Sequence, residues 1–485
     1  MQPLGKDEYG KLKSSGELSR RLARARSIGN YQIDSFLVRQ AMLRTARRYY
    51  QTMGLSTIEL DRRAPLLAPP PAWQGMPSVG KVRIFALLIE FADRPHTNAE
   101  DTINTALFGT PSTGAPYESL AAYYKRASYG KLDLSGGSTL GWYTVNRNRA
   151  DVAQTTAGRE GLIREALEHF NQQGHDFKQY DNNGDGVVDY FLVFWTGPDN
   201  GWANFWWGYQ TRFRDSSFKI DNVSLGKYSW QWEGRPVGAA FNPRVCIHET
   251  GHALGLPDLY DYDGDQGPDG GVGGVDMMDA NQYDHNGFSK WVLDWIEPTV
   301  IGSGSKTITL NGSGRTQDCV VVWPGIDHDD IFSEFFIVQN RQPEGNDSQL
   351  PRGGLMIWHV DATLNGSGTN YTYDNSWTVH KLVRLMEADG KEDIEANRGF
   401  DTADLYTAGK RFGPDTSPAS TRYNGKDSGV EVRDIVMNGA KIKATFSIAE
   451  AQRPKISATR LASASNHDGR IEACAISPDD GIYHI

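Results

Sequence analysis

Apolar runs separated by polar turns mark out most of the chain from residue 81 onward. The sequence VRIFALLIEF after Lys81 and the run from Val187 to Trp195 are of strand length, which predicts buried strands. Helices are predicted over 117–127 and over 158–172, where apolar residues recur at helical spacing, and further strand signals lie near 132–144. This alternation of strands and helices predicts an α/β domain over residues 81–298.

After Pro298 the pattern changes to short β runs separated by Gly, Asn and Asp turns. Such a succession predicts a β-sandwich-like domain over residues 299–448. The tail, residues 449–485, has weak periodicity and receives no fold assignment. The predicted strand sequences are KTITL, CVVVW, EFFIVQN, GGLMIWHV, VEVRDIV and KIKATFSI.

The first 80 residues have a different character. One helix is predicted from about Leu18 to Met53, with eight Arg among its apolar positions, and the Pro-rich stretch 64–77 after it predicts an exposed linker. Residues 1–80 hold 13 Lys and Arg against 6 Asp and Glu, a net charge of +7, so the net −10 of the whole chain leaves −17 for the rest. Two interpretations remain open: a removable prosegment or docking arm, and a basic helix packed permanently on the body.

Composition excludes several classes of function. With 485 residues, 39% of them hydrophobic and 23% charged, the chain is globular and long enough for two or three cores. A net charge of −10 argues against nucleic-acid binding by phosphate neutralisation, and the apolar runs are too short to predict a transmembrane helix. Three widely spaced cysteines form no disulfide framework, and no apolar signal-peptide core is visible near the N-terminus.

The strongest chemical signal is the sequence RVCIHETGHALGLPDLYD. His248 and His252 are four residues apart, so both imidazoles project from one face of a helix toward a single Zn²⁺, with Glu249 beside them to polarise a water molecule. Gly255 allows the chain to turn back, which places Asp258 as a third ligand and leaves a fourth coordination position open. The alternative is a buried helix whose histidines hydrogen-bond in the core.

The sequence GGVDMMDANQYDH follows downstream. Met278 is predicted to form a hydrophobic floor beneath the metal, although an ordinary core methionine would look the same in sequence. Tyr283 and His285 are candidate donors to a tetrahedral oxyanion, and a structural role is the alternative for each.

An acidic loop predicts a calcium site. Asp181, Asn183, Asp185 and Asp189 offer oxygen ligands at alternate positions, and Gly186 stands at the sharp bend. Leu192 occupies the position of the EF-hand glutamate, so a helix-flanked EF-hand is not predicted, and a solvated acidic turn is the alternative. Asp261, Asp263, Asp265 and Asp269 form a candidate site for a second ion.

Taken together, these motifs resemble the immune inhibitor A family of secreted bacterial metallopeptidases, which are metzincin-like. The extended motif H-E-x-x-H-x-x-G-x-x-D followed by a methionine turn carries the resemblance, which covers roughly residues 81–447. Five further segments match the family pattern: YESLAAYYKRASYGKLDLSGGSTLGWYT, QYDNNGDGVVDYFLVFW, GFSKWVLDWIEP, GGLMIWHVD and LMEADG.

The resemblance implies an α+β, zincin-like catalytic domain and a zinc-dependent endopeptidase acting on proteins or peptides. By the same resemblance His248, His252 and Asp258 are zinc ligands, Glu249 is the general base, and the protein is secreted. Val275 stands where an aromatic residue is usual before the methionine turn. No cysteine occurs in residues 1–80, so latency through a cysteine thiolate on zinc is excluded. The alternative function is a non-catalytic surface-binding protein with a structural zinc site.

Overall fold

The chain folds into a mixed α and β structure with several sheets. Its core lies on both faces of a central sheet and between two further sheets nearer the C-terminus. The computed structural model describes residues 3–52, 75–110, 118–262, 264, 267–324, 333–449 and three short strands at 460–465, 471–476 and 482–484.

The N-terminal region contains three helices, α1 (Lys6–Ser14), α2 (Leu18–Ile28) and α3 (Ser35–Thr52). The prediction of one continuous helix from Leu18 to Met53 is therefore wrong. Gly29 ends α2 in the left-handed conformation, at φ 88°, and its backbone N–H closes the helix on Ala25 O. Most of the Pro-rich stretch 64–77 lies outside the described residues.

The central sheet has five strands in the order β4-β2-β5-β7-β6. Its strands are parallel except β6, the edge strand, which pairs antiparallel with β7. The two apolar runs predicted as buried strands form β2 and β5 at the centre of the sheet, which confirms that prediction. The bounds are β2 (Phe85–Phe91), β4 (Ser138–Val145), β5 (Val187–Trp195), β6 (Tyr209–Arg212) and β7 (Ser224–Trp232), and a short pair, β1 (Gly80–Lys81) and β3 (Leu132–Asp133), lies beside it.

Helices cover both faces of this sheet. The predicted amphipathic helix is α6 (Thr156–Gln172), and its apolar residues join one face of the sheet in a shared core. The other face is covered by apolar residues of α3, α5, α7 and α9. The remaining bounds are α4 (Glu100–Phe108), α5 (Leu120–Ala127), α7 (Arg244–Ala253), α8 (Met277–Ala280) and α9 (Gly287–Val292).

The region after residue 298 is built from two sheets, and every β run predicted there contributes a strand. One sheet has the order β13-β12-β11-β10-β8 and the other β14-β15-β9, and a cluster of apolar side chains fills the space between them. The bounds are β8 (Thr299–Ile301), β9 (Gly304–Leu310), β10 (Val320–Val322), β11 (Glu334–Arg341), β12 (Gly354–Asp361), β13 (Val383–Met386), β14 (Val430–Asn438) and β15 (Lys441–Ile448).

The larger of these two sheets is buried on both faces. Its second face packs against α9, where the ring of Phe335 contacts Trp291 and Phe288 at centroid distances of 5.7 and 6.0 Å. Side chains of β11 and β12 thus share one core with the metal-motif helix α7. Residues on either side of position 298 therefore stabilise each other through common apolar burial.

Two further observations complete the fold. The tail contains three short strands, β16 (Arg460–Ser465), β17 (Ile471–Ile476) and β18 (Ile482–His484), which pair with one another, although their weak periodicity predicts no fold. Within the described residues, every helix falls short of the length and apolar character needed to cross a bilayer.

Candidate metal centre

Helix α7 carries the first two candidate ligands. It starts directly after Pro243, a residue suited to a helix N-terminus, and it ends before Gly255, whose φ of +106° only glycine adopts without strain. Within the helix, His248 and His252 are one turn apart, with their ring centroids 4.8 Å from each other. The turn at Gly255 then brings Asp258 back onto the same helix face.

Three ligand atoms converge on one point. Nε2 of His248 lies 2.9 Å from Oδ1 of Asp258, and Nε2 of His252 lies 3.2 Å from the same oxygen. The two Nε2 atoms are 3.1 Å apart. His248, His252 and Asp258, which the sequence spacing put forward as zinc ligands, are all buried and form a group able to hold a metal ion.

The hydrogen bonds of the imidazoles fit a metal-binding role for this group. Nδ1 of His248 donates to Met277 O and Nδ1 of His252 donates to Leu256 O, each at 2.8 Å. In a neutral imidazole, a donating Nδ1 leaves Nε2 as an acceptor, so three acceptor atoms face one another. Such a contact is relieved by a proton or by a metal cation between the atoms, and tetrahedral zinc holds its ligand atoms roughly 3.3 Å apart.

The protonation state of His248 fits this role. Burial lowers the pKa of His248 below its ordinary value, because the charged imidazolium is poorly solvated in the core. Neutral imidazole is the form that binds a metal. The donor set of two imidazoles and one carboxylate therefore suits zinc.

Asp258 is oriented by a residue that the sequence analysis did not single out. Tyr262 donates its hydroxyl to Oδ2 of Asp258 at 2.5 Å, which leaves Oδ1 to face the two imidazoles. Such outer hydrogen bonds fix a ligand's orientation and tune its affinity for metal. The only signal in the sequence is that Tyr262 follows Asp258 by four residues, which is too little to identify it.

Glu249 lies on α7 between the two histidines and is fully buried. The phenol rings of Tyr124, Tyr190 and Tyr260 are close enough that the charge of Glu249 contributes to the raised pKa of each, alongside the larger effect of burial. The structure thus places this carboxylate in an enclosed environment beside the ligand group. Its assignment as general base stays a prediction.

A turn beneath α7 holds the methionines. Asp276 caps this turn by accepting the N–H of Met278 at 2.7 Å, and its other oxygen accepts the N–H of Asn286 at 2.6 Å. Met278 packs against the helix at Gly251, where a Cβ atom would lie 2.4 Å from the Met278 sulfur. The structure therefore puts Met278 directly under the helix turn that carries both histidines.

The two candidate oxyanion donors lie just beyond this turn. His285 is fully buried among the rings of Tyr123, Tyr124 and Trp295, and burial lowers its pKa to about 3, which keeps it neutral. The carbonyl oxygen of Tyr283 accepts a hydrogen bond from Tyr123 at 2.9 Å. A donor role for either residue stays a prediction.

The acidic loop from Asp181 to Asp189 is closed by its own hydrogen bonds. Asp181 accepts hydrogen bonds from the backbone N–H groups of Gly184, Asp185 and Gly186. Asp189 accepts hydrogen bonds from the backbone nitrogen and from the side-chain nitrogen of Asn182. Burial raises the pKa of Asp189 to about 6. Among the described residues, this loop is not one of the acidic or histidine groups whose ligand atoms converge closely. Of the second proposed ion site, Asp263 and Asp265 lie outside the described residues.

The N-terminal region reaches the candidate site through the loop between α2 and α3. The carbonyl oxygen of Asn30 accepts the N–H of Asp258 at 2.7 Å, and the N–H of Asp34 donates to Gly255 O at 2.8 Å. Residues of this loop, of β6 and of the turn after α7, including His252, line a cavity of about 310 Å³. The loop therefore contacts the part of the chain that holds the third ligand.

Asp34 makes a further contact below α7. Its carboxylate lies 2.9 Å from Nζ of Lys227, a buried residue of β7 that also donates to Ala253 O at 3.1 Å. Burial lowers the pKa of Lys227 and the charge of Asp34 opposes that effect. A buried ammonium without its counter-ion would be costly, so Lys227 gives the N-terminal region a specific point of attachment.

Curated proteins from two bacteria are similar to this chain. The chain is 26% identical to the pre-pro-metalloprotease PrtV of Vibrio cholerae serotype O1, over 45% of this chain and 30% of that protein, for each of two strains. It is also 26% identical to immune inhibitor A of Bacillus thuringiensis subsp. alesti, over 38% of this chain and 34% of that protein. No family model matches the chain. The chain spans about a third of the length of the curated relatives that it matches.

These relatives confirm the resemblance to the immune inhibitor A-like metalloproteases that the motifs predict. Their names support a peptidase in general terms and imply a bound metal, and the convergent group at His248, His252 and Asp258 is where the structure offers a place for one.

Proposed function

We propose that this protein is a zinc-dependent endopeptidase with a zincin-like catalytic domain over residues 81–298 and a sandwich-like β domain over 299–448. The observation that carries the proposal is the convergence of three acceptor atoms, Nε2 of His248, Nε2 of His252 and Oδ1 of Asp258, beside the carboxylate of Glu249. A purely structural zinc site has no need of such a base, which disfavours the alternative of a non-catalytic binding protein.

The residues of the chain divide the chemistry between them. Zinc, when bound, supplies a Lewis acid that polarises the scissile carbonyl and acidifies a water molecule. Glu249 takes the proton from the attacking water and delivers it to the leaving amine. Tyr262 holds Asp258 in place, while Met277 O and Leu256 O keep the two imidazoles in the tautomer that presents Nε2. Tyr283 and His285 stay candidates for stabilising the oxyanion.

The edge strand β6 offers a place for an extended substrate. It pairs on one side with β7, and its residues Gln210 to Arg212 line the cavity that also contains His252. An extended peptide adds readily to the edge of a sheet through backbone hydrogen bonds. A protein substrate bound in this way would pass the ligand group, which fits an endopeptidase.

The site is closed in the chain as it stands, and we propose that the N-terminal region is an inhibitory prosegment of a secreted enzyme. His248, Glu249 and Asp258 have no solvent exposure, so a protein substrate cannot reach them. The loop from Gly29 to Asp34 is bonded to the turn that carries Asp258. The attachment is largely apolar, through residues such as Leu37 and Val38, so salt weakens it less than the +7 and −17 charges alone suggest.

Release of this region should unmask a chelator-sensitive protease. A specific cleavage site is introduced between residues 64 and 73, so that the chain folds intact and is cut afterwards. We expect the cut chain, once its N-terminal fragment is removed, to degrade fluorescently labelled casein on the order of tenfold faster than the uncut chain or more, because a larger fraction of molecules has an open site. Removing the metal with a chelator should stop degradation, and adding zinc back should restore it. A cut chain with bound zinc and no activity on any protein would contradict the proposal.

The attachment at Asp34 can be tested in the same assay. Asp34→Asn removes the counter-ion of the buried Lys227, so the cut N-terminal fragment should bind less tightly and inhibit less at equal concentration. Asp7→Asn, the same change at an exposed position of α1, is the matched control and should inhibit like the unaltered fragment. Equal inhibition by the Asp34 and Asp7 variants would show that this ion pair does not secure the region.

We also propose that the loop at Asp181, Asn183, Asp185 and Asp189 binds Ca²⁺. An ion bound only by the folded state raises the melting temperature by mass action. We expect millimolar Ca²⁺ to raise the melting temperature by a few degrees, and Asp185→Ala to abolish the shift. Asp215→Ala, at a half-buried acidic turn that forms an ion pair with Arg164, should leave the shift intact. A wild-type protein that melts at one temperature with Ca²⁺ and with a calcium chelator has only an acidic turn here.

A further inference from the structure

A buried arginine of the β-rich region donates hydrogen bonds to the segment that contains the methionine turn. Arg341, the last residue of β11, is fully buried and forms a two-pronged ion pair with Asp347, both contacts at 2.5 Å. Its Nη2 also donates to Val275 O and Asp284 O, each at 3.3 Å. Val275 and Asp284 are the two ends of what we term the Met-turn segment, residues 275–284.

Asp347, the partner of Arg341 in the ion pair, contacts the same segment. Its Oδ1 accepts the backbone N–H of Asp284 at 2.9 Å. Asn346 donates to Oδ1 of Asp284 at 3.2 Å, and Lys290 donates to Oδ2 at 2.5 Å. Asp284 is therefore held by its backbone and by both side-chain oxygens, in a region where an unpaired charge would be strongly destabilising.

The Met-turn segment in turn touches a candidate metal ligand. Met277 O accepts the Nδ1 proton of His248, which fixes the tautomer and the plane of that imidazole. The Met278 side chain lies against Gly251, between the two histidines. A displacement of residues 275–284 would thus move the carbonyl that orients His248 and the floor under α7.

We infer that Arg341, paired with Asp347, is a positioning residue for the metal site, acting on His248 through the Met-turn segment. This inference rests on the proposed function, because it supposes that His248 binds zinc. Arg341 lies in the β-rich region, beyond the proposed domain boundary at residue 298, so this region would contribute to metal binding. A lysine at position 341 keeps the charge but, with a single nitrogen, does not reach Asp347, Val275 O and Asp284 O together.

The test compares zinc affinity and the Co²⁺ spectrum in the full-length chain. Arg341→Lys and Asp347→Asn should each weaken zinc binding about 10-fold to 100-fold, the usual effect of losing an outer hydrogen-bond partner. Both should also shift the visible absorption bands of the Co²⁺-loaded chain, since these report ligand geometry. Zinc affinity is measured by competition with a chromogenic chelator, and folding is checked by near-UV circular dichroism of the metal-free proteins.

Arg149→Lys is the matched control. Arg149 is also a buried arginine, but its Nη2 donates to Pro198 O and its guanidinium stacks on Trp206, on the far face of the central sheet. This variant should lose stability without changing zinc affinity or the Co²⁺ bands. Folded Arg341→Lys and Asp347→Asn proteins with wild-type affinity and spectrum would overturn the inference alone. A wild-type chain that binds no zinc would overturn the proposed function together with it.

Discussion

Glu249→Ala should abolish proteolysis while leaving zinc in place. The carboxylate of Glu249 lies beside the ligand group without belonging to its converging atoms, so removing it takes away the proton acceptor and not a ligand. General bases contribute about 10² to 10⁴ to a rate, and we expect a loss of at least two orders of magnitude in kcat/KM. Casein cleavage by the processed chain gives the rate, and elemental analysis gives the zinc content.

Two further variants make this result specific. Glu249→Gln keeps the size of the side chain in its buried setting and should be as inactive as the alanine variant. Glu160→Gln changes a buried glutamate of α6, which accepts the backbone N–H groups of Arg214 and Asp215 on the far face of the sheet, and should stay active. If Glu249→Ala retains zinc and remains active, Glu249 is not the base.

Asp258→Ala should release the metal. Oδ1 of Asp258 faces both imidazoles, so its loss leaves two ligands and deprives Tyr262 of its acceptor. We expect a loss of zinc affinity larger than the roughly 10-fold to 100-fold effect of an outer partner, which Tyr262→Phe should show. Competition with a chromogenic chelator measures all of these variants on one scale.

Asp261→Ala is the matched comparison for the third ligand. Asp261 is the next carboxylate along the chain after Asp258 and is not among the converging ligand atoms of the described residues. We expect this variant to bind zinc nearly as tightly as the wild type. If instead Asp261→Ala releases zinc and Asp258→Ala does not, the assignment of the third ligand moves to Asp261.

Local sequence patterns predict the secondary structure well where burial and periodicity agree. The strands β2 and β5 follow from continuous apolar runs, and α6 follows from apolar residues at helical spacing. The apolar spacing continues across the break between α2 and α3 and therefore does not reveal it, whereas the left-handed Gly29 interrupts the helical backbone. The pairing of the tail strands was missed because their periodicity is weak.

The residues of the candidate site are predictable from local sequence. Four residues of spacing put His248 and His252 on one helix face, and a glycine at the right distance returns Asp258 to them, because helix geometry and turn conformations are local properties. The resemblance to metalloproteases follows from this motif together with the further matching segments, and the relatives confirm it.

The surroundings of these residues are visible only in the folded protein. Buried polar contacts join three pairs of positions. Tyr262 donates to Asp258, Lys227 pairs with Asp34, and Arg341 donates to the Met-turn segment. Asp34 lies nearly two hundred residues before Lys227, and Val275 and Asp284 lie 66 and 57 residues before Arg341. Neither local propensity nor periodicity encodes such contacts, since they form only when the core excludes water and every buried polar group must find a partner.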